Sequence, residues 1–266
     1  MNGHQKKSSS LQLPESVREF LSGMGEMARF VGNFFREGVR PPYEFREVAR
    51  QCYEIGIKSF PLVSITAFIL GLVLIMQSRP TMIEFGAGSY LPSMSAISIV
   101  REIGPLVTAL VCAGKIGSGI AAELGSMKVT EQIDAMEVSG TNPFKFLVAT
   151  RIAACTIMIP LLTVYADAIA IAGSFAGANI KGSINITLFI SNVFESLAYG
   201  DAMPAFIKSF FFGFAIGVVG CTKGYNSKKG TEGVGRASNI AVVVAMLSVI
   251  VIDLVVTQIS GFFGLL

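Results

Sequence analysis

The sequence predicts an all-α membrane protein in which an N-terminal helix on the membrane surface precedes five transmembrane helices. Of the 266 residues, 52% are hydrophobic and only 15% are charged, and the mean hydropathy is +0.63. This composition is typical of chains that are solvated by lipid. Several apolar segments also reach the length of about 20 residues with which an α-helix crosses a bilayer. We expect residues 1–266 to form a single domain.

Five apolar segments are long enough to cross the membrane, and together they define a membrane region over residues 44–266. The second and third segments exceed the minimum length, so we expect those helices to tilt or to protrude from the bilayer. Glycines four residues apart recur in the later segments and predict close helix packing. The predicted spans are Phe60–Gln77, Ser93–Leu124, Phe146–Ala178, Phe206–Cys221 and Ile240–Leu265.

Residues 14–37 precede the spans and show the pattern of an amphipathic helix. Apolar side chains recur every three or four residues from Val17 to Phe35, and charged side chains occupy the opposite face. Gly38 and Pro41 end the pattern. We expect this helix to lie in the membrane interface. The alternative is a helix packed on a soluble domain, but no other segment of this sequence would supply that domain.

Basic residues are distributed unevenly along the chain. Sixteen of the 21 Lys and Arg residues lie before the first span or beside the second and fourth connections. Only Arg79 and Lys181 lie beside connections on the other side. Because basic residues are enriched on the cytoplasmic side, we expect the N-terminus in the cytoplasm. An odd number of spans then places the C-terminus on the far side of the membrane.

Residues 127–140 follow the second span as a helix that is too short to cross a bilayer. Acidic side chains lie along one side, apolar side chains lie along another, and Gly140 ends the pattern. A solvated surface helix would show the same pattern. Because the other cytoplasmic loops offer little else to receive force from a partner, we interpret this segment as a partner-binding helix. Its acidic groups would face basic groups of the partner, and Ile133 and Met136 would fill an apolar pocket. The candidate contact residues are Glu131, Gln132, Ile133, Asp134 and Met136.

Among the charged residues inside the predicted spans, four lie toward the same membrane boundary, namely Arg101, Glu102, Lys208 and Asp253. At about 1.5 Å of rise per residue, all four come within roughly 20 Å of the far membrane boundary. A charge at this depth is costly and commonly indicates a functional site. We expect these groups to line a central cavity shared by two protomers. The alternative is that they form ion pairs that only fix the helix register.

The sequence lacks the familiar catalytic motifs. Gly114 and Lys115 are followed by Ile116, so the nucleotide-binding pattern GxxxxGK[ST] does not occur. HExxH and GxSxG are absent as well, so we expect neither an enzyme nor a resident cofactor or metal. The cysteines are scattered without metal-ligand spacing and are expected to be free, buried thiols. They are Cys52, Cys112, Cys155 and Cys221.

The run from Val100 to Arg151, VREIGPLVTALVCAGKIGSGIAAELGSMKVTEQIDAMEVSGTNPFKFLVATR, resembles the signature of the MlaE (YrbE) permease family. The similarity extends over nearly the whole chain and includes the leading helix, the five spans and the loop TKGYNSKKGTEGVGRA from Thr222 to Ala237. The resemblance implies the membrane subunit of an ABC-type transporter in the bacterial inner membrane. Members of this family move phospholipids, or in some lineages sterols or other lipids, between the inner membrane and the outer envelope.

The same resemblance implies a set of partners. We expect a homodimer bound by two cytoplasmic ATPase chains, by a periplasmic MCE-domain protein and by a small cytoplasmic accessory subunit, but no nucleic acid. ATP and Mg²⁺ would then be held by the ATPase, residues 127–140 would be the coupling helix, and the four intramembrane charges would line the lipid pocket.

Two other functions remain open on the residues alone. An ion-gradient-driven secondary transporter would use the intramembrane charges as a relay, and a structural scaffold of an envelope complex would conduct nothing. Transport stimulated by ATP and a partner ATPase favours the ABC-type transporter, and uptake that follows a proton gradient favours the secondary transporter. Partner binding without lipid movement favours the scaffold.

Overall fold

The computed structural model describes residues 15–38, 44–180 and 184–262, and these residues form a helical bundle. In this part of the chain no β-strand occurs. The α-helices are α1 (Glu15–Gly38), α2 (Phe45–Ile57), α3 (Phe60–Glu84), α4 (Leu91–Ser98), α5 (Gly104–Cys112), α6 (Ser118–Val129), α7 (Gln132–Val138), α8 (Thr150–Ile180), α9 (Ile186–Ser196), α10 (Tyr199–Tyr225) and α11 (Thr231–Phe262).

Five stretches are long and apolar enough to cross a membrane, which confirms the predicted fold class and its five spans. Each predicted span lies within one of these stretches, except that Ile240–Leu265 continues past Phe262 and so ends outside the described residues. The stretches exceed the predictions because they include adjoining, more polar helical residues, such as helix α2 at the start of the first stretch. They are Phe45–Glu84, Gly88–Val129, Phe144–Ile180, Tyr199–Tyr225 and Thr231–Phe262, referred to below as spans one to five.

Spans two and three contain π-helical turns. Such turns are rare in proteins, and those that occur frequently lie at functional sites. Span two has one at Ile99–Ile103 and another at Ala113–Gly117, and span three begins with one at Phe144–Ala149. Each turn carries or adjoins charged side chains: the first contains Arg101 and Glu102, the second contains Lys115, and Arg151 follows the third. The sequence analysis did not predict these turns. They divide span two into three short α-helical segments.

The long helix α8 lies at the centre of the bundle, where it packs against α2, α3, α5 and α10. Glycines on both helices allow its close contact with α3. A Cβ atom on Gly71 would overlap the carbonyl oxygen of Ala170, and one on Gly173 would overlap that of Phe68. The hydroxyl of Ser174 donates a hydrogen bond of 3.1 Å to the carbonyl oxygen of Gly71. The backbones of α3 and α8 therefore approach closely, as small residues at a helix interface permit.

The four cysteines are free, as predicted. Cys112, Cys155 and Cys221 are buried in the main apolar core, and Cys52 is partly buried at its edge. Several small polar side chains in the same region bond to the backbone of their own helix. Thr222, for example, donates to the carbonyl oxygen of Val218 at 2.7 Å. Such local bonds satisfy polar groups that lipid cannot.

The two ends of the bundle differ in structure. Helices α1 and α7 lie at one end, where Asn142 donates a hydrogen bond of 3.1 Å to Glu37. At this end the ring of Phe30 in α1 packs against Phe144 and Tyr225, with centroid distances of 4.9 and 6.2 Å. The described end of the predicted amphipathic helix thus contacts the bundle through Phe30, an apolar side chain. Helix α9, which the sequence analysis did not predict, lies at the other end against α4.

We predict that Gly71→Ala destabilises the fold by separating α3 from α8. Overpacking of a tight contact commonly costs about 1–3 kcal/mol, and here the added methyl group meets backbone atoms, which cannot rotate away. Gly119→Ala is the matched control, because no atom lies within 4 Å of its Cβ position. Unfolding midpoints in detergent would measure both effects. Equal midpoints for the two variants would contradict the close backbone contact.

Candidate functional site

The side chain of Lys208 connects three spans inside the bundle. Lys208 belongs to helix α10, and only 3% of its side chain is exposed. Its ammonium group donates a hydrogen bond of 2.7 Å to Oε2 of Glu102 in the first π-turn. The same nitrogen lies 2.9 Å from Oδ1 of Asp253 in α11. These three residues, here called the ion cluster, link spans two, four and five. Predicted separately from the sequence, they are brought together by the fold.

Arg101 lies beside the ion cluster and pairs with a different carboxylate. Its Nε is 2.8 Å from Oδ1 of Asp201 in the first turn of α10. Asp201 also accepts a hydrogen bond of 3.0 Å from the backbone N–H of Ala198. A carboxylate in this position is stabilised by the positive end of the helix dipole. The sequence analysis missed Asp201 because it began the fourth span at Phe206.

Asp167 is a further buried carboxylate that the sequence analysis missed. It lies in span three, and its Oδ1 has no hydrogen-bond partner among the described residues. A Cβ atom on Gly104 would overlap this oxygen, so the glycine provides the space for it. The sequence could have identified Asp167, because an acidic residue within an apolar span indicates a functional site. The same argument identified Glu102.

Glu102 and Lys208 of the ion cluster and the Arg101–Asp201 pair line a small cavity. Its free volume is about 10 Å³, too little for more than one water molecule. The predicted lining residues are therefore held in ion pairs in this conformation, and no large cavity lies between them. An adjoining groove between α10 and α11 is much larger, about 730 Å³, and almost entirely apolar. Pro204, Val256 and Ser260 line both spaces.

This pair of spaces can accommodate an amphiphile. The groove presents apolar side chains such as Met203, Ile207 and Phe211 to one part of a ligand. The small cavity beside it offers two cationic groups, Lys208 and Arg101, to another part. A phosphate group would compete with the carboxylates for these donors, because charge-assisted hydrogen bonds to phosphate are strong in a medium of low dielectric constant.

The predicted partner-binding helix is divided in the structure. Residues 127–129 belong to the end of α6, and α7 begins only at Gln132. Glu131 separates the two with a left-handed backbone, at a φ of 58°. Gly140, with a φ of 80°, ends the segment where the sequence predicted. Helix α7 is therefore a separate element that projects from the end of span two.

The two faces of α7 have different environments. Gln132 and Asp134 are exposed, and Asp134 lies 3.4 Å from the Lys128 ammonium group. Ile133 is completely buried in the core of this chain, and Met136 packs against that core. The expectation that Ile133 fills a pocket of a partner is therefore wrong for this conformation, because its side chain already has an apolar site in its own chain. Val138, which is 91% exposed, is an apolar contact candidate that the sequence analysis missed.

Comparison with known proteins finds similar sequences among membrane permeases. The family model described as "Permease MlaE" matches residues 48–259. A probable ABC transporter permease protein of Rickettsia typhi is 34% identical over 240 residues, which cover 90% of this chain and 93% of the relative. One of Rickettsia prowazekii is 36% identical over 220 residues, 83% and 85% of the two chains. One of Synechocystis sp. is 34% identical over 206 residues, 77% and 78% of the two chains.

We predict that Lys208→Met destabilises the chain by about 3–5 kcal/mol, because it leaves the buried carboxylate of Asp253, and that of Glu102, without their cation. Adding Asp253→Asn to the same chain should recover part of that loss, since the second change removes an unpaired charge. Unfolding in mixed micelles of a denaturing detergent would measure each step. Lys228→Met, at an exposed site, is the control and should change little. If the losses of stability caused by Lys208→Met and Asp253→Asn are additive, the two residues do not interact.

Proposed function

Because the chain belongs to the MlaE permease family, we propose that it is the membrane subunit of an ABC-type lipid transporter. In this proposal it moves phospholipid or a related lipid between the bacterial inner membrane and the outer envelope. The observation that supports a lipid substrate is the position of the ion cluster directly beside the apolar groove of α10 and α11. A phospholipid has the same two parts, a charged headgroup and apolar chains.

The size of the groove agrees with this substrate class. Its volume of about 730 Å³ lies within the range typical of small-molecule sites. In a membrane, burial of acyl chains against protein provides little hydrophobic free energy, because lipid is equally apolar. Recognition must therefore depend on shape and on the headgroup, and for the latter Lys208 and Arg101 are the available cations.

The contacts within the ion cluster suggest how uptake and release of the lipid alternate. When spans two, four and five separate, Lys208 loses contact with Glu102 or Asp253 and becomes available to a lipid phosphate. When the spans return, the carboxylates compete for the ammonium group and displace the phosphate. The Lys208 ammonium group then has an anionic partner both when the spans are separated and when they are packed together, as a low-dielectric environment requires. The protein switches the partners of Lys208 and never leaves its charge unpaired.

ATP hydrolysis supplies the force in this proposal, and a separate cytoplasmic ATPase binds the ATP and Mg²⁺. Helix α7 is the coupling helix, with Gln132 and Asp134 on the exposed face toward the ATPase. The N-terminus is then cytoplasmic and the C-terminus periplasmic. Two copies of the chain form the transporter, and a periplasmic MCE-domain protein and a small cytoplasmic accessory subunit complete it.

We predict that Glu102→Ala, Lys208→Ala and Asp253→Ala each lower ATP-driven lipid transfer by about tenfold or more, because each removes a charge-assisted hydrogen bond from the path. Transfer of a fluorescent phospholipid by the complete transporter in proteoliposomes would measure this. Glu84→Ala, at an exposed carboxylate at the end of α3, is the control and should transfer lipid normally.

Yield and ATPase association of the same variants distinguish the alternatives. A purely structural cluster predicts that transfer falls in proportion to yield and that exchanging the charges of Glu102 and Lys208 restores both. Normal transfer in all three alanine variants would exclude the cluster from the lipid path. Transfer that follows a proton gradient without ATP would indicate a secondary transporter, and partner binding without any transfer would indicate a scaffold.

We also predict different effects for neighbouring substitutions in α7. Asp134→Lys should weaken co-purification with the ATPase and leave the stability of the isolated chain nearly unchanged, because Asp134 is exposed. Ile133→Asp should instead destabilise the isolated chain, because it buries an unpaired charge in the core. Glu232→Lys, an equal charge reversal on α11, is the control. If Asp134→Lys leaves ATPase binding and turnover normal, α7 is not the coupling element.

A further inference from the structure

A second polar cavity lies at the α7 end of the bundle, between α2, α6, α7 and the start of α8. Its volume is about 410 Å³, and its lining is about half polar. Four charged side chains contribute to it, namely Glu47, Arg50, Glu123 and Arg151. Glu123 lies 21 residues after Glu102 on span two, or about 30 Å along the helix axis. The cavity is therefore separate from the ion cluster and from the proposed lipid path.

Buried side chains hold the two carboxylates of this cavity in place. Arg151 is only 2% exposed, and it donates hydrogen bonds of 2.8 Å to Oε1 of Glu123 and to the carbonyl oxygen of Leu147. Gln51, also buried, donates a hydrogen bond of 2.8 Å to Oε1 of Glu47. Arg151 and Gln51 thus position the two acids. This support distinguishes the cavity from a chance group of surface charges.

Two charges of opposite sign remain accessible at the cavity. The side chain of Glu123 is 55% exposed, so its carboxylate is open to a ligand. The side chain of Arg50 is 68% exposed and contacts Glu47 at 3.4 Å, which leaves further N–H donors for an anion. The four charged groups sum to zero. A simple anion or a simple cation would meet as much repulsion as attraction, whereas a zwitterion with both charges meets a partner for each.

The depth of the cavity corresponds to the headgroup layer of a membrane. Glu123 lies six residues before the end of span two at Val129, and Arg151 lies seven residues after the start of span three at Phe144. Both are therefore about 10 Å inside the ends of these helices, at the boundary of the apolar segments. Tyr53 and Ile57 follow on α2 toward the apolar layer, and both are more than half exposed.

We propose that this cavity binds the headgroup of a phospholipid that carries a primary ammonium group, as phosphatidylethanolamine does. The ammonium group donates hydrogen bonds to Glu123 and Glu47, and Arg50 donates to the phosphate. A quaternary ammonium group has no N–H with which to replace these bonds. The lipid is a bound regulator, and it is not the transported substrate. Gln132 of α7 also lines the cavity, so headgroup binding stabilises one position of α7.

Native mass spectrometry of the purified chain in mixed micelles tests this proposal. We expect phosphatidylethanolamine to bind about tenfold more tightly than phosphatidylcholine with the same acyl chains, because only the former makes the charge-assisted hydrogen bonds. Glu123→Gln should abolish this preference. Arg50→Gln, at an exposed site that does not endanger folding, should weaken binding of both lipids. Glu232→Gln, a matched change of an exposed carboxylate outside the cavity, should retain the preference.

Three results would overturn the assignment. The first is equal binding of the two lipids, and the second is an unchanged preference in Glu123→Gln. The third is saturation by soluble glycerophosphoethanolamine at the same concentration as the lipid, which would assign the cavity to a soluble ligand. If Glu123→Gln keeps the lipid preference but loses association with the ATPase, the cavity belongs to that protein partner. None of these outcomes depends on whether the chain transports lipid, so they are separable from failure of the proposed function.

Discussion

The ammonium group of Lys208, held between Glu102 and Asp253, is the interaction on which the arrangement of the spans depends. A single buried cation fixes the relative positions of spans two, four and five, because separation of any two leaves a charge unpaired in an apolar medium. Such a cluster contributes little net stability, since desolvation offsets most of the attraction and apolar side chains of similar volume would pack as well. Its presence is therefore better explained by function than by stability, and the apolar groove beside it supports the proposed lipid substrate.

Span two connects the ion cluster to α7. Its first π-turn carries Glu102, its second carries Lys115, and its last helical segment leads directly to Glu131 and α7. The Lys115 ammonium group donates to the carbonyl oxygen of Lys58 at the junction of α2 and α3. Near its end, Glu123 pairs with Arg151 of span three. Span two is thus held by an ionic or polar contact at each level, and a π-turn can shift the register of the residues that follow it. Movement of α7 can reach the cluster along one continuous element.

Much of this structure is predictable from the sequence because lipid imposes strict rules. The spans follow from the length of the apolar runs, and the charges of the cluster stand out because an apolar segment seldom contains any. The close contact at Gly173 follows from a glycine spacing of four, whereas Gly71 lies alone in its segment and gave no such signal. The short acidic helix was located but placed a few residues too early, because a left-handed residue such as Glu131 has no distinctive sequence.

The remaining features depend on tertiary contacts that periodicity does not contain. The burial of Ile133 results from the way α7 folds back on the core, and an amphipathic pattern does not reveal which partner covers the apolar face. The pairing of Asp201 with Arg101 requires spans two and four to pack together. Hydropathy analysis finds charged residues, but only the folded chain shows which of them meet.

Photo-crosslinking at Val256, which lines both the small cavity and the apolar groove, tests the lipid path most directly. A crosslinking residue at this position in the complete transporter should capture phospholipid, and the yield of the adduct should change when ATP is hydrolysed. The Lys208→Met background should lose this response to ATP. The same residue at Leu247, exposed on α11 outside both spaces, should capture lipid regardless of ATP. An adduct at Val256 that responds neither to ATP nor to Lys208→Met would contradict a lipid path through the ion cluster.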